Sequence, residues 1–119
     1  MIATCEAFLL GEKLGISAQA LFDVISTSSG QCWSVTSYCP VPGPVPLSPA
    51  NNNFEPGFAA SLMLKDLKLA CDAADAAGTE IALGRQAVDL YTAYEAAGFG
   101  STDFSGVINH IRAERNKNA

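Results

Sequence analysis

Lys65 and Asp66 form a cation–anion pair near the start of the alanine- and leucine-rich stretch "GFAASLMLKDLKLACDAADAAG". A lysine ammonium that faces a cleft can hold a carboxylate or phosphate and stabilise charge that develops there. A neighbouring carboxylate can hold the lysine or receive backbone N–H groups. On a helical wheel Lys65, Lys68, Asp72 and Asp75 fall at i, i+3, i+7 and i+10, an ordinary solvated polar stripe. Asp66 fits that stripe less well, since the same wheel sets it with Leu62, Leu69 and Ala73. A carboxylate among apolar residues has a task to perform. The helix also begins directly after "NNNFEPGF", so Lys65 stands about two turns from an aromatic loop, a setting suited to an anionic ligand.

Other reactive side chains are weaker candidates. Cys5, Cys32, Cys39 and Cys71 show no CxxC spacing, and His110 is the single imidazole. That set argues against zinc; a Cys32–Cys39 disulfide is conceivable, but nothing indicates an oxidising compartment, and reduced, structural cysteines are expected, Cys32 buried among them. His110 is placed on the polar side of the last helix. The hydroxyls of "STSSG" sit at a helix C-terminus, where the dipole disfavours an anion, so turn chemistry is expected there.

The elements that carry these residues read as helices. The chain has 119 residues, long enough for a single domain with one core. Hydrophobic residues make up 49% and charged residues 16%, which excludes general disorder. The net charge of −5, without Lys/Arg clusters, argues against a nucleic-acid surface. "MIATCEAFLLGEKLG" has no basic leader, and no apolar run approaches the roughly 18 residues of a membrane span. The expected location is cytoplasmic.

Helical periodicity predicts a first helix over 1–14, uncapped at its start as the tail of a longer helix would be, with Gly15 ending it. Its Ile2, Phe8 and Leu9 are then short of partners, which favours self-association. Ser17 is placed to cap a second helix that gives out in "STSSG". All six prolines lie between Gln31 and Pro56, a segment expected to be free of regular helix; Trp33, Tyr38 and Phe54 should fold it over the helices. The Lys65 helix is predicted from about Phe58 to Ala77, with a stripe of Met63, Leu67, Ala70 and Ala74 and with Gly78 closing it. Thr79 is then expected to cap a helix whose apolar face holds Leu83, Ala87, Leu90, Tyr91 and Tyr94. A last helix is expected from Ser101, with Asp103 facing its dipole and "RAERNKNA" frayed. The result is an all-α fold of about five helices and one long proline-rich loop.

Four stretches, "MIATCEAFLLGEKLGIS", "SSGQCWS", "PVPGPVPLSPANNNFEPGFAASLMLKDLKLA" and "DFSGVINHIR", together resemble the C-terminal helical domain of the 3-hydroxyisobutyrate dehydrogenases. These belong to the β-hydroxyacid dehydrogenase group, with 6-phosphogluconate dehydrogenase and tartronate semialdehyde reductase. The "KDLKLA" motif fits the wider group, and the proline loop narrows it to the 3-hydroxyisobutyrate branch. The resemblance implies that residues 1–119 are the substrate-side and assembly domain of an NAD-dependent, homo-oligomeric enzyme acting on a small hydroxyacid in valine breakdown, with no metal.

It implies that Lys65 binds at the nicotinamide and substrate cleft, with Asp66 beside it and Trp33 and Phe58 near the substrate pocket. The dinucleotide-binding domain with its GxGxxG is absent from this chain; the "GFGS" glycines follow a helix rather than a strand. The family's general-base lysine would fall about three helical turns upstream of Met1, so no catalytic residue is assigned here. Alone, the chain is expected to be an inactive fragment or isolated domain. A tartronate semialdehyde-type substrate, or a non-catalytic oligomerisation module, remains the alternative.

Overall fold

A computed structural model describes all residues from Met1 to Ala119. Six α-helices appear: α1 (Ile2–Lys13), α2 (Ala18–Ile25), α3 (Trp33–Thr36), α4 (Ala60–Ala77), α5 (Ala82–Tyr94) and α6 (Val107–Lys117). No strand forms, only an isolated bridge between Ala59 and Asp103, and the fold is all-α. The chain divides into two compact units, Met1–Glu55 with Ser105–Ala119, and Pro56–Phe104.

In the first unit, α1 buries Cys5, Phe8 and Leu9, and α6 buries Val107 and Ile108. Phe8 and Leu9 are each 3% exposed, so they do not lack partners as the pattern had suggested. Gly15 takes φ +78° and Ile16 N–H donates back to Gly11 O at 2.9 Å, the left-handed close expected of it. Ser17 Oγ accepts from Ala20 N–H at 3.1 Å and caps α2. After Ile25, Thr27 Oγ1 donates to Asp23 O and Ser28 Oγ to Ile25 O, the hydroxyl competition that "STSSG" foretold.

The proline segment is ordered. The Asn51 side chain accepts from Gly43 N–H at 2.9 Å and donates to Val45 O at 2.8 Å, while Cys39, Pro40, Val41 and Ala50 are buried. It is not wholly free of helix: α3 precedes the first proline, and a 3₁₀ turn, Pro49–Asn52, starts on a proline whose missing N–H costs nothing at that position.

In the second unit, α4 packs on α5. Leu64 and Ala74 are buried and Met63 and Leu67 half-buried, whereas Ala70 is exposed. On α5 Tyr91 and Tyr94 are buried, but Leu83 is 80% exposed and not part of the core face. Gly78 takes φ +69° and closes α4. Thr79 does not cap α5. The N-cap is Ile81, and Glu80 Oε1 accepts from both Ile81 N–H and Arg85 Nε–H, fixing Arg85 against Asp75 as well. The helix then widens into a π turn at Glu95–Phe99, where Gly98 takes φ +97° and Phe99 stacks on Tyr94 at 5.2 Å.

Three expectations near the C-terminus change. The last helix begins at Val107 rather than Ser101, Asp103 is buried instead of facing a dipole, and α6 stays regular to Lys117 rather than fraying. Its last turn is tied by the Lys117–Glu114 pair at 2.6 Å.

Candidate functional site

Helix α4 starts without a side-chain cap, on Ala59. Its first N–H groups are satisfied instead by the segment ahead of the final 3₁₀ turn: Ala60 N–H donates to Thr102 O at 2.8 Å and Ser61 N–H to Gly100 O at 2.9 Å. Phe58 is held just before this turn. Its N–H donates to Asp103 Oδ1 at 3.0 Å and its C=O accepts from Phe104 N–H at 2.8 Å, while its ring meets the Phe104 ring edge-on at 5.8 Å. The half-buried Phe58 therefore has a fixed backbone and a packed ring.

Lys65 and Asp66 follow on α4 and point to solvent, their side chains 63% and 55% exposed, with Nζ and Oδ1 3.7 Å apart. An exposed pair at that separation contributes less than about 1 kcal/mol, so Asp66 does not immobilise the ammonium. The lysine is a cation offered outward by a rigid helix. Asp66 does not sit in an apolar interior: Leu62 and Leu69, which share its face, are 45% and 58% exposed. That face of α4 is an open apolar strip carrying a carboxylate. A groove of about 240 Å³ lined by Lys68, Cys71, Asp72, Arg85, Val88 and Asp89 lies elsewhere in this unit.

Trp33 belongs to the other unit. It opens α3, is 57% exposed, and stacks on Tyr38 at 4.8 Å with the planes 19° apart. Trp33 and Tyr38 thus pack on each other, while Trp33 stays largely open to solvent. Cys32, before it, is exposed rather than buried. Partial burial pushes its thiol up, but the Thr4 hydroxyl and the Val35 and Ser34 N–H groups outweigh this and the net direction is down. All four cysteines are free thiols. Two larger grooves of this unit, about 490 and 470 Å³, share Val41, Pro42 and Arg112 and do not include Trp33.

The structure therefore brings Phe58, Lys65 and Asp66 into one unit, and sets Trp33 in the other. Sequence reasoning missed Asp103. Its partners Gly57 and Phe58 are 46 and 45 residues away, so no local spacing could reveal it. No group of three or more His, Cys, Asp or Glu side chains is arranged to hold a metal. For a dinucleotide, the chain has no strand leading into a glycine-rich turn, and the outward cation of Lys65 is what it can offer to one. No helix is long and apolar enough to cross a membrane.

An all-helical domain with an outward lysine on a helix that follows a pinned aromatic is the class that fold and geometry define. Residues 1–111 match the family model described as NAD-binding of NADP-dependent 3-hydroxyisobutyrate dehydrogenase, and the chain belongs to that family. A probable 3-hydroxyisobutyrate dehydrogenase of Mycobacterium bovis is 57% identical over 112 residues, covering 94% of this chain and 38% of that protein. The mitochondrial 3-hydroxyisobutyrate dehydrogenase of Bos taurus is 43% identical over 114 residues, covering 96% of this chain and 34% of its own length.

Among solved structures, the Mycobacterium tuberculosis 3-hydroxyisobutyrate dehydrogenase with L-serine superposes with a TM-score of 0.89 at 57% identity, over 93% of this chain and 38% of that one. A Salmonella typhimurium 3-hydroxyisobutyrate dehydrogenase gives 0.75 at 27% identity, over 91% of this chain and 35% of its own. The chain thus spans little more than a third of the relatives it matches.

Proposed function

We propose that this chain is the C-terminal helical domain of an NAD-dependent 3-hydroxyisobutyrate dehydrogenase of valine breakdown. In this reading 3-hydroxyisobutyrate is oxidised to methylmalonate semialdehyde in the cytoplasm by a homo-oligomer. The observation that carries it is the outward Lys65 on a family-matched helix, following a Phe58 that is pinned at its N–H, its C=O and its ring. The L-serine in the mycobacterial structure is itself a small β-hydroxy acid, which supports the substrate class.

The cofactor supplies hydride acceptance when bound. This chain's residues do the rest of what is assigned to it. Lys65 neutralises the substrate carboxylate or cofactor charge with Asp66 beside it, and Phe58 supplies an apolar wall that excludes water. The general base and the dinucleotide cradle come from a further domain, so residues 1–119 alone are inactive.

The test joins this chain to the portion of the mycobacterial relative outside the matched region and follows reduction of NAD by 3-hydroxyisobutyrate. Lys65→Ala is expected to lower turnover by about a hundredfold, on the scale of losing one preorganised charge contact, with the melting temperature unchanged. Equal turnover with and without the lysine contradicts its role.

A second reading, a helical oligomerisation module, is favoured by the open strip of Leu62 and Leu69 on α4. It predicts concentration-dependent self-association of the chain alone in sedimentation; monomers throughout count against it.

A further inference from the structure

Asp103 is 0% exposed, and its Oδ1 accepts from Gly57 N–H at 2.9 Å and from Phe58 N–H at 3.0 Å. The adjoining Phe104 N–H holds Phe58 O, and the Phe104 ring holds the Phe58 ring. Two consecutive residues therefore fix the same aromatic residue at three points. Thr102 O and Gly100 O, from the same short segment, accept the first two N–H groups of α4.

Burying a carboxylate costs several kcal/mol before its hydrogen bonds offset it. If stability of the helix start were the only demand, a serine or aspartate at Ala59 would cap α4 locally without that cost. A distant, fully buried carboxylate gives something a local cap does not: a fixed position for the residue ahead of the helix.

We propose that Asp103 is a positioning residue for the dehydrogenase reaction: by holding the Gly57 and Phe58 N–H groups it fixes the Phe58 ring and the first turn of α4, and so the aim of Lys65. This rests on the dehydrogenase reading above. Asp103 touches neither substrate nor cofactor in this role. It acts through Phe58 and α4, where small displacements of a reacting geometry are costly in rate.

The test uses the fused enzyme with Asp103→Ala, Asp103→Asn and a destabilised control, Val107→Ala, in which a fully buried side chain far along the sequence from Phe58 is truncated. All are assayed well below their melting temperatures. Asp103→Ala is expected to lower kcat at least about tenfold per folded molecule while KM for NAD moves less than about twofold. Asp103→Asn, which keeps a neutral oxygen acceptor but a weaker one, should lose less, with kcat about threefold below the parent. Val107→Ala should lose stability and keep its kcat. A kcat for Asp103→Ala no lower than that of Val107→Ala overturns the proposal, because a purely structural carboxylate would behave that way.

If Asp103→Ala does not fold, Asp103→Asn decides. Faster hydrogen exchange at the Gly57 and Phe58 amides together with a kcat lowered about threefold supports the proposal; faster exchange with unchanged kcat overturns it. An inactive parent fusion removes the dehydrogenase reading and this inference with it. An active parent with indifferent Asp103 variants removes this inference alone.

Discussion

At the scale of single residues, the two ends of the cysteine set behave oppositely. Cys5 is fully buried in α1, and desolvation pushes its thiol up to about 12. Cys39 is also buried and raised by burial, whereas exposed Cys32 moves down. Alkylation of the native chain near pH 8 should therefore modify Cys32 well before Cys5 and Cys39, which should react only on unfolding; peptide mass mapping reads the order. Equal labelling of Cys5 would contradict its burial.

The sign of the linkage also follows. A native thiol raised from 9.0 to about 12 stabilises fully below pH 9 and loses that contribution as pH climbs towards 12, since the unfolded chain ionises first. Replacing Cys5 by alanine should flatten this alkaline loss in urea titrations, though it lowers stability at pH 7. Only part of this was legible beforehand. Reduced cysteines are what a sequence with no sign of an oxidising compartment leads one to expect, but Cys32 is exposed in a loop that helical periodicity does not describe.

At the scale of elements, helix ends marked by local chemistry were readable and ends made by distant partners were not. Gly15, Ser17 and Gly78 do what their types require, in left-handed closes and a hydroxyl cap. Gly78→Ala should cost about 1 kcal/mol, because alanine must adopt φ +69° to keep the close of α4; urea midpoints at constant m-value measure it. An unchanged midpoint would show that α4 can end elsewhere.

By contrast, α4 starts at Ala60 rather than Phe58: Asp103 holds the Gly57 and Phe58 N–H groups ahead of the helix, and the Thr102 and Gly100 carbonyls accept the first two N–H groups of the helix itself. Likewise Glu80, engaged with Arg85, displaces the start of α5 beyond Thr79. The wheel of α4 gave the right stripe for Met63 and Leu67 but could not show that Leu62 and Leu69 would stay open. Amphipathic pattern ranks faces, and the area the partner helix covers decides how many of them are buried.

At the scale of the molecule, two compact units share one chain, and the candidate residues Phe58, Lys65 and Asp66 belong to Pro56–Phe104 while Trp33 belongs to the other. Exposed Leu62 and Leu69 flank Asp66 on the same helix that carries Lys65, so an open apolar strip and an outward cation adjoin along α4.

The most direct measurement compares NAD reduction by 3-hydroxyisobutyrate for the chain alone and for the chain fused to the remaining part of the mycobacterial relative. No turnover alone and steady turnover in the fusion is the predicted result. A fusion that folds, binds NAD and still does not oxidise 3-hydroxyisobutyrate would contradict the assignment.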